Sequence, residues 1–125
     1  SKLNFEPGCV FNTRSLGSDL LQELSRSNKT EGYIVDDQDL LVGVVTIIDA
    51  ISNQDRRADT FMSKEFHFLT VQQDLLSAME TAQSFVGEAI PVVDEKNAYA
   101  GCITEGAILG GALEQQEAIR GYERN

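Results

Sequence analysis

The chain has 125 residues, enough for one compact domain or for two half-sized units sharing a core. Its 20 acidic and 10 basic residues give a formal net charge of −10, which argues against surfaces that grip nucleic acid or anionic membrane by neutralising phosphates but leaves small nucleotides open. Apolar residues make up 42% and aromatics 7%, with no Trp, so the core is expected to be aliphatic, and no run of about 18 apolar residues is present to span a bilayer.

The leading residues, SKLNFEPG, lack the basic-then-apolar pattern of a secretory signal. CVFN (Cys9 to Asn12) reads as a short strand. Ser15 or Ser18 can then cap a helix bearing Leu16, Leu20, Leu21 and Leu24. GYIVDD is an apolar run of strand length, DQDL a turn, and LVGVVT a second run. A helix is expected to open at Thr46. SNQDRRADTFMSKE, polar and Arg-bearing, reads as a connector.

The second half repeats this order. HFLTV (His67 to Val71) alternates like a strand, and Asp74 caps a helix with an apolar stripe at Leu75, Ala78, Met79, Ala82 and Phe85. AIPVVD follows as a strand, with Pro91 suited only to its start. DEKNAY supplies turn residues, AGCIT is the next strand, and Thr104 opens a helix. One fixed offset superposes Val35 on Val93, Asp36 on Asp94, Gly43 on Gly101 and Thr46 on Thr104, yet it sets Asp49 on Ala107. Each unit alone is too small to cover both faces of a three-stranded sheet. Two units packed sheet against sheet, helices outside, solve that. The expected fold is α+β, strand-helix-strand-strand-helix twice with pseudo-two-fold symmetry; the repeats fall at residues 1–58 and 59–125, the second with a helical tail.

Thr46-x-x-Asp49 also resembles a capping box, which closes a helix start and needs no ligand. His67 is the only histidine and Cys9 and Cys102 are far apart, so neither a zinc set nor a His-assisted nucleophile is expected. With no C-x-x-C pair, a reducing, cytoplasmic setting fits the cysteines better. Asp36–Asp37 and Asp94–Glu95 occupy equivalent turns, where Asp caps local N–H groups. Neither G-x-G-x-x-G nor G-x-x-x-x-G-K occurs. Gly110 and Gly111 interrupt the apolar stripe of the tail; they break its helix or permit a close helix contact.

GYIVDDQDLLVGVVTIIDAI and IPVVDEKNAYAGCITEGAIL, each placed after an amphipathic helix, resemble a tandem pair of cystathionine-β-synthase (CBS) domains, a Bateman module. The resemblance runs from about Gly8 to Leu113. It implies a non-catalytic regulatory unit that binds AMP, ADP or ATP between its repeats and passes that state to an attached protein. FVGEAIPVVD (Phe85 to Asp94), with the charged tail, most resembles the cytoplasmic pair of bacterial ClC-type chloride channels and transporters. A homodimer is expected on the same ground. The alternatives are a structural dimerisation module without nucleotide, or the sensor of a magnesium or cobalt transporter or a dehydrogenase.

In that family's pattern Thr46 and Asp49 face the nucleotide. The physics agrees: a helix start offers N–H groups to phosphate and Thr46 adds a hydroxyl, while Asp49 presents two oxygens to a ribose. Gly43 is expected to let the backbone come close, and Tyr33 and Ile34 to line an adenine. Arg56 and Arg57 are the expected phosphate partners, or else two solvated loop charges. Thr104 keeps its hydroxyl, but Ala107 has no oxygens and Glu105 adds negative charge. One strong nucleotide site at most is expected, at the first copy.

Overall fold

The computed structural model describes residues 5–83 and 88–110. The first half contains β1 (Val10–Asn12), α1 (Gly17–Ser27), β2 (Glu31–Val35), β3 (Leu41–Thr46), α2 (Ile47–Ser52) and α3 (Ala58–Phe61). The second contains β4 (Leu69–Thr70), α4 (Leu75–Gln83), β5 (Ala89–Val93) and β6 (Tyr99–Thr104), and residues 105–110 are helical. Two three-stranded sheets result, in the order β1-β2-β3 and β4-β5-β6. In each, the first pair is parallel and joined through a helix, and the second is an antiparallel hairpin. The mixed α+β arrangement is the expected one. Among the described residues no helix is long and apolar enough to cross a membrane.

The two halves share register in detail. Tyr33 pairs with Val44 and Ile34 with Gly43; Pro91 pairs with Cys102 and Val92 with Gly101. Both hairpins carry an irregularity at the next step, between Ile34 and Val35 and between Val92 and Val93. Both turns are closed by an aspartate. Asp36 Oδ1 accepts from the N–H groups of Gln38 and Leu40, and Asp94 Oδ1 from those of Lys96 and Ala98, all at 2.9–3.0 Å. Asp39 and Asn97 complete the turns with positive φ, 64° and 68°, a conformation these two residue types tolerate.

Alternation along the strands sends side chains to two different cores. Ile34 and Val45 join Leu20, Ala50 and Ala58 beneath the first-half helices. Ile90, Val92 and Ile103 join Leu69, Ala78, Ala82 and Ile108 in the second half. Between the sheets lie Tyr33, Leu41, Ala89, Val93 and Cys102. Leu20 and Leu24 are wholly buried, each worth about 1.5–3 kcal/mol of transfer free energy. Asp74 caps α4, its Oδ1 accepting from Ser77 N at 2.8 Å.

The halves are tied by main-chain bonds that mirror one another. Leu41 N donates to Asn97 O (3.1 Å) and Tyr99 N to Asp39 O (3.0 Å). Each lead-in segment also crosses to the opposite sheet. Glu6 exchanges two hydrogen bonds with Cys102 on β6, and Ser63 exchanges two with Val44 on β3.

Five expectations need correction. No serine caps α1: Leu16 stands at the cap, and the first N–H groups are taken by the chain after α2, Gly17 N donating to Arg56 O (2.9 Å) and Ser18 N to Gln54 O (3.0 Å). Leu16 is exposed rather than part of the stripe. The connector is not simply polar: Ala58 is wholly buried, and Phe61 and Met62 pack on the first core. Finally, Pro91 sits in the middle of β5, and the strand over His67–Val71 shrinks to Leu69–Thr70.

One cause explains the last two. Cys102 turns both its backbone groups outward to Glu6, so the Pro91 nitrogen faces the β4 side. In the first half the matching nitrogen, that of Tyr33, donates to Cys9 O at 2.8 Å. Proline has no N–H to give, and β4 begins only at the residue pairing with Val92. Phe85 and the tail from Gly111 onward lie outside the described residues, as does the side chain of Leu75.

Candidate functional site

The pseudo-two-fold creates two equivalent clefts, each walled by the third strand of one half and by the lead-in and middle strand of the other. They differ in volume. The cleft beneath Thr46 opens to about 200 Å³, whereas the one beneath Thr104 retains about 20 Å³.

In the open cleft, β3 and α2 supply Val44, Thr46 and Asp49, and β2 supplies Glu31. The other wall is Pro91 together with Ser63, Glu65, Phe66 and His67 of the second lead-in. Thr46 Oγ1 accepts from Asp49 N at 3.1 Å and so caps α2, while Ile47 N donates to Thr30 O at 2.8 Å. Two first-turn N–H groups are therefore already committed. The Asp49 carboxylate takes no part in the cap and stands exposed on the cleft wall. Thr104 caps its helix identically, accepting from Ala107 N at 3.1 Å. The capping half of the phrase is thus present in both copies, and only the first carries the carboxylate.

The narrow cleft is filled by its own side chains. Tyr33 and Tyr99 stack with ring centroids 5.3 Å apart. Tyr33 Oη donates to Ala89 O (3.2 Å) and Tyr99 Oη to Pro7 O (2.8 Å). Gly8, at φ 66°, lets the first lead-in descend: a Cβ there would stand 2.7 Å from Tyr99 Oη and 3.1 Å from Cys102 Sγ. Burial raises both phenols and the Cys102 thiol above their ordinary pKa values. Such a thiol is a poor nucleophile.

Of the residues expected to bind ligand, Thr46 and Asp49 come together. Tyr33 does not join them; strand order places it in the opposite cleft with Thr104, and Pro91 takes the equivalent place beside Thr46. Ile34 is wholly buried under the helices, because adjacent strand residues face opposite ways. Gly43 serves packing rather than ligand approach, since a Cβ there would meet Met62 Sδ at 2.4 Å. Arg56 and Arg57 are absent from the cleft lining. α2 carries the chain back along the sheet by about 9 Å at 1.5 Å per residue, to where Arg57 pairs with Asp59 at 2.7 Å and Arg56 reaches Asn53 at 3.4 Å.

Sequence reasoning missed Glu31, Glu65 and Phe66 as lining residues, and His67, expected at the start of a strand, lies before it and lines the open cleft. The swapped lead-ins put them there. Glu31 borders both clefts, and burial, reinforced by the charge of Glu88, raises its carboxyl pKa. Among the described residues no group of three or more His, Cys, Asp or Glu is placed to hold a metal ion.

Residues 58–114 match the CBS domain family model. No curated protein sequence matches the chain. Solved structures with the same fold include the CBS pair of a putative Mg2+ transporter from Shewanella oneidensis, with 20% identity, TM-score 0.80, and 89% of this chain and 67% of that one covered. CBSX2 in complex with AMP aligns with 21% identity and TM-score 0.76 over 90% of this chain and 94% of that one. The cytosolic domain of the Mg2+ channel MgtE in complex with ATP aligns with 20% identity and TM-score 0.74 over 82% of this chain, which spans 44% of that structure.

Proposed function

We propose that this chain, whose residues 58–114 match the CBS domain and whose overall fold is that of a CBS pair, is a non-catalytic sensor of an adenosine ligand. The observation that carries the reading is the contrast between clefts: the open one holds Thr46 and Asp49, and the filled one lacks the carboxylate. A ribose diol on Asp49 and a base between Phe66 and Pro91 use what the open cleft offers. Complexes of two similar folds with AMP and ATP support an adenosine ligand, whether AMP, ADP or ATP. Ligand bridging Asp49 of one half and Pro91 of the other favours one orientation of the halves and biases an attached protein.

The proposed host is a membrane transport protein, with this chain on its cytoplasmic side. FVGEAIPVVD carries the ClC-type reading. A magnesium transporter is the second reading, favoured by the two Mg2+-transport folds above. Self-association is proposed through α2, whose Ile48 and Ile51 are 71% and 52% exposed. Ile48→Glu with Ile51→Glu should then convert a dimer to a monomer in sedimentation velocity; a parent chain already monomeric removes the idea.

The ligand reading is tested by thermal shift. An adenosine ligand at about ten times its Kd should stabilise the chain by about 1.4 kcal/mol. Asp49→Ala should abolish the shift while leaving unliganded stability within about 0.5 kcal/mol, because only the Asp49 main chain serves the cap. No shift at millimolar ligand would leave a structural dimerisation module instead.

A further inference from the structure

The electrostatics of the open cleft run against phosphate. Glu31, Asp49 and Glu65 all border it, and among the described residues neither Lys nor Arg lines it. Lys29 lines the narrow cleft, 3.9 Å from Glu88. Lys64, between two lining residues, is exposed and outside the lining. The N–H groups that a phosphate would seek are partly spent on Thr46 and Thr30, and α2 is only six residues long. The apolar part of the lining, Val44, Phe66 and Pro91, is suited to a flat base.

We infer that the open cleft selects the uncharged nucleoside part of its ligand and disfavours each added phosphate, so that a neutral or cationic adenosine derivative binds more tightly than ATP. This rests on the reading of that cleft as an adenosine site and adds its charge preference. At about 6 Å in water-like surroundings one carboxylate opposes one phosphate charge by about threefold in affinity. With three carboxylates on the rim the discrimination compounds.

Calorimetry on the full chain without divalent metal, using adenosine, AMP, ADP and ATP, tests this. Affinity should fall in that order, about threefold or more per phosphate, and added salt should narrow the spread by screening the repulsion. Glu65→Gln, at an exposed position, should improve ATP binding about threefold relative to adenosine. Glu31→Gln should act in the same direction. ATP binding most tightly, or a Glu65→Gln chain with an unchanged ATP-to-adenosine ratio, overturns the inference and leaves the adenosine reading standing. Failure of all four compounds to bind overturns both.

Discussion

Gly17→Ala is expected to lower the melting temperature by roughly 10 °C, a loss of about 3 kcal/mol for a chain of this size. A Cβ on Gly17 would lie 2.1 Å from Asn53 O, 2.7 Å from Asn53 C and 3.0 Å from Gln54 Cα, all backbone atoms. Backbone cannot swing aside as the tip of a long side chain can. Relief requires α1 to part from the chain after α2, and the bonds from Gly17 N to Arg56 O and from Ser18 N to Gln54 O lie across that seam. They stand where a side-chain cap would otherwise serve. Gly110→Ala is the control: among the described residues no atom outside its own helix lies within 4 Å of a Cβ there, and the residue is helical. Alanine at that position should be neutral or stabilising by up to about 1 kcal/mol. Thermal melts of both variants check the contrast, and a Gly17→Ala chain melting within 2 °C or so of the parent would contradict the close approach.

The same seam shows where sequence reading reaches its limit. Gly17 and its neighbours Ser15 and Ser18 look like an ordinary helix start, and local chemistry favours a serine cap. Tertiary contact from residues far along the chain supplies the acceptors instead. Elements whose signals are local were legible: the Asp36 and Asp94 turns, the Asp74 cap, the threonine caps at Thr46 and Thr104, and the apolar runs that became β2, β3, β5 and β6. The repeat itself, visible as matched phrases, carried the sheet-on-sheet arrangement.

Site composition was less legible for a geometric reason. Each lead-in crosses to the other half's third strand, so a cleft combines the threonine phrase of one copy with the middle strand of the other. Within one copy, Tyr33 and Thr46 share a hairpin, and nothing in periodicity says that they open into different clefts. The crossing also reassigns Gly43: its missing side chain makes room for Met62 next to the swapped Ser63. The polarity of the connector hid this, since only Ala58, Phe61 and Met62 carry its packing. Pro91 is a usable signal with a one-sided meaning. It does bar a strand partner, but on one side only, and β5 keeps its bonds to β6.

The second large effect concerns what closes the narrow cleft. The sequence expects one ligand site at most because of Ala107 and Glu105; the structure adds a steric feature, the stacked Tyr33 and Tyr99 beside Cys102. Tyr33→Ala is therefore expected to destabilise the chain by about 3–5 kcal/mol, since it removes a buried ring and leaves a cavity between the sheets. Cys102, 3% exposed in the parent, should become correspondingly open to a thiol reagent in a Cys9→Ser background. A loss of about 3 kcal/mol in closing energy corresponds to roughly a hundredfold faster reaction. Ala107→Asp alone restores the carboxylate but not the space, so it should leave both the thiol rate and the ligand stoichiometry as in the parent. If Ala107→Asp by itself yields a second bound ligand, the tyrosine stack is no barrier, and the missing oxygen alone silenced that cleft. An unchanged Cys102 rate in Tyr33→Ala, with stability reduced, would instead mean that Tyr99 and the Gly8 lead-in close the cleft without help from the second ring.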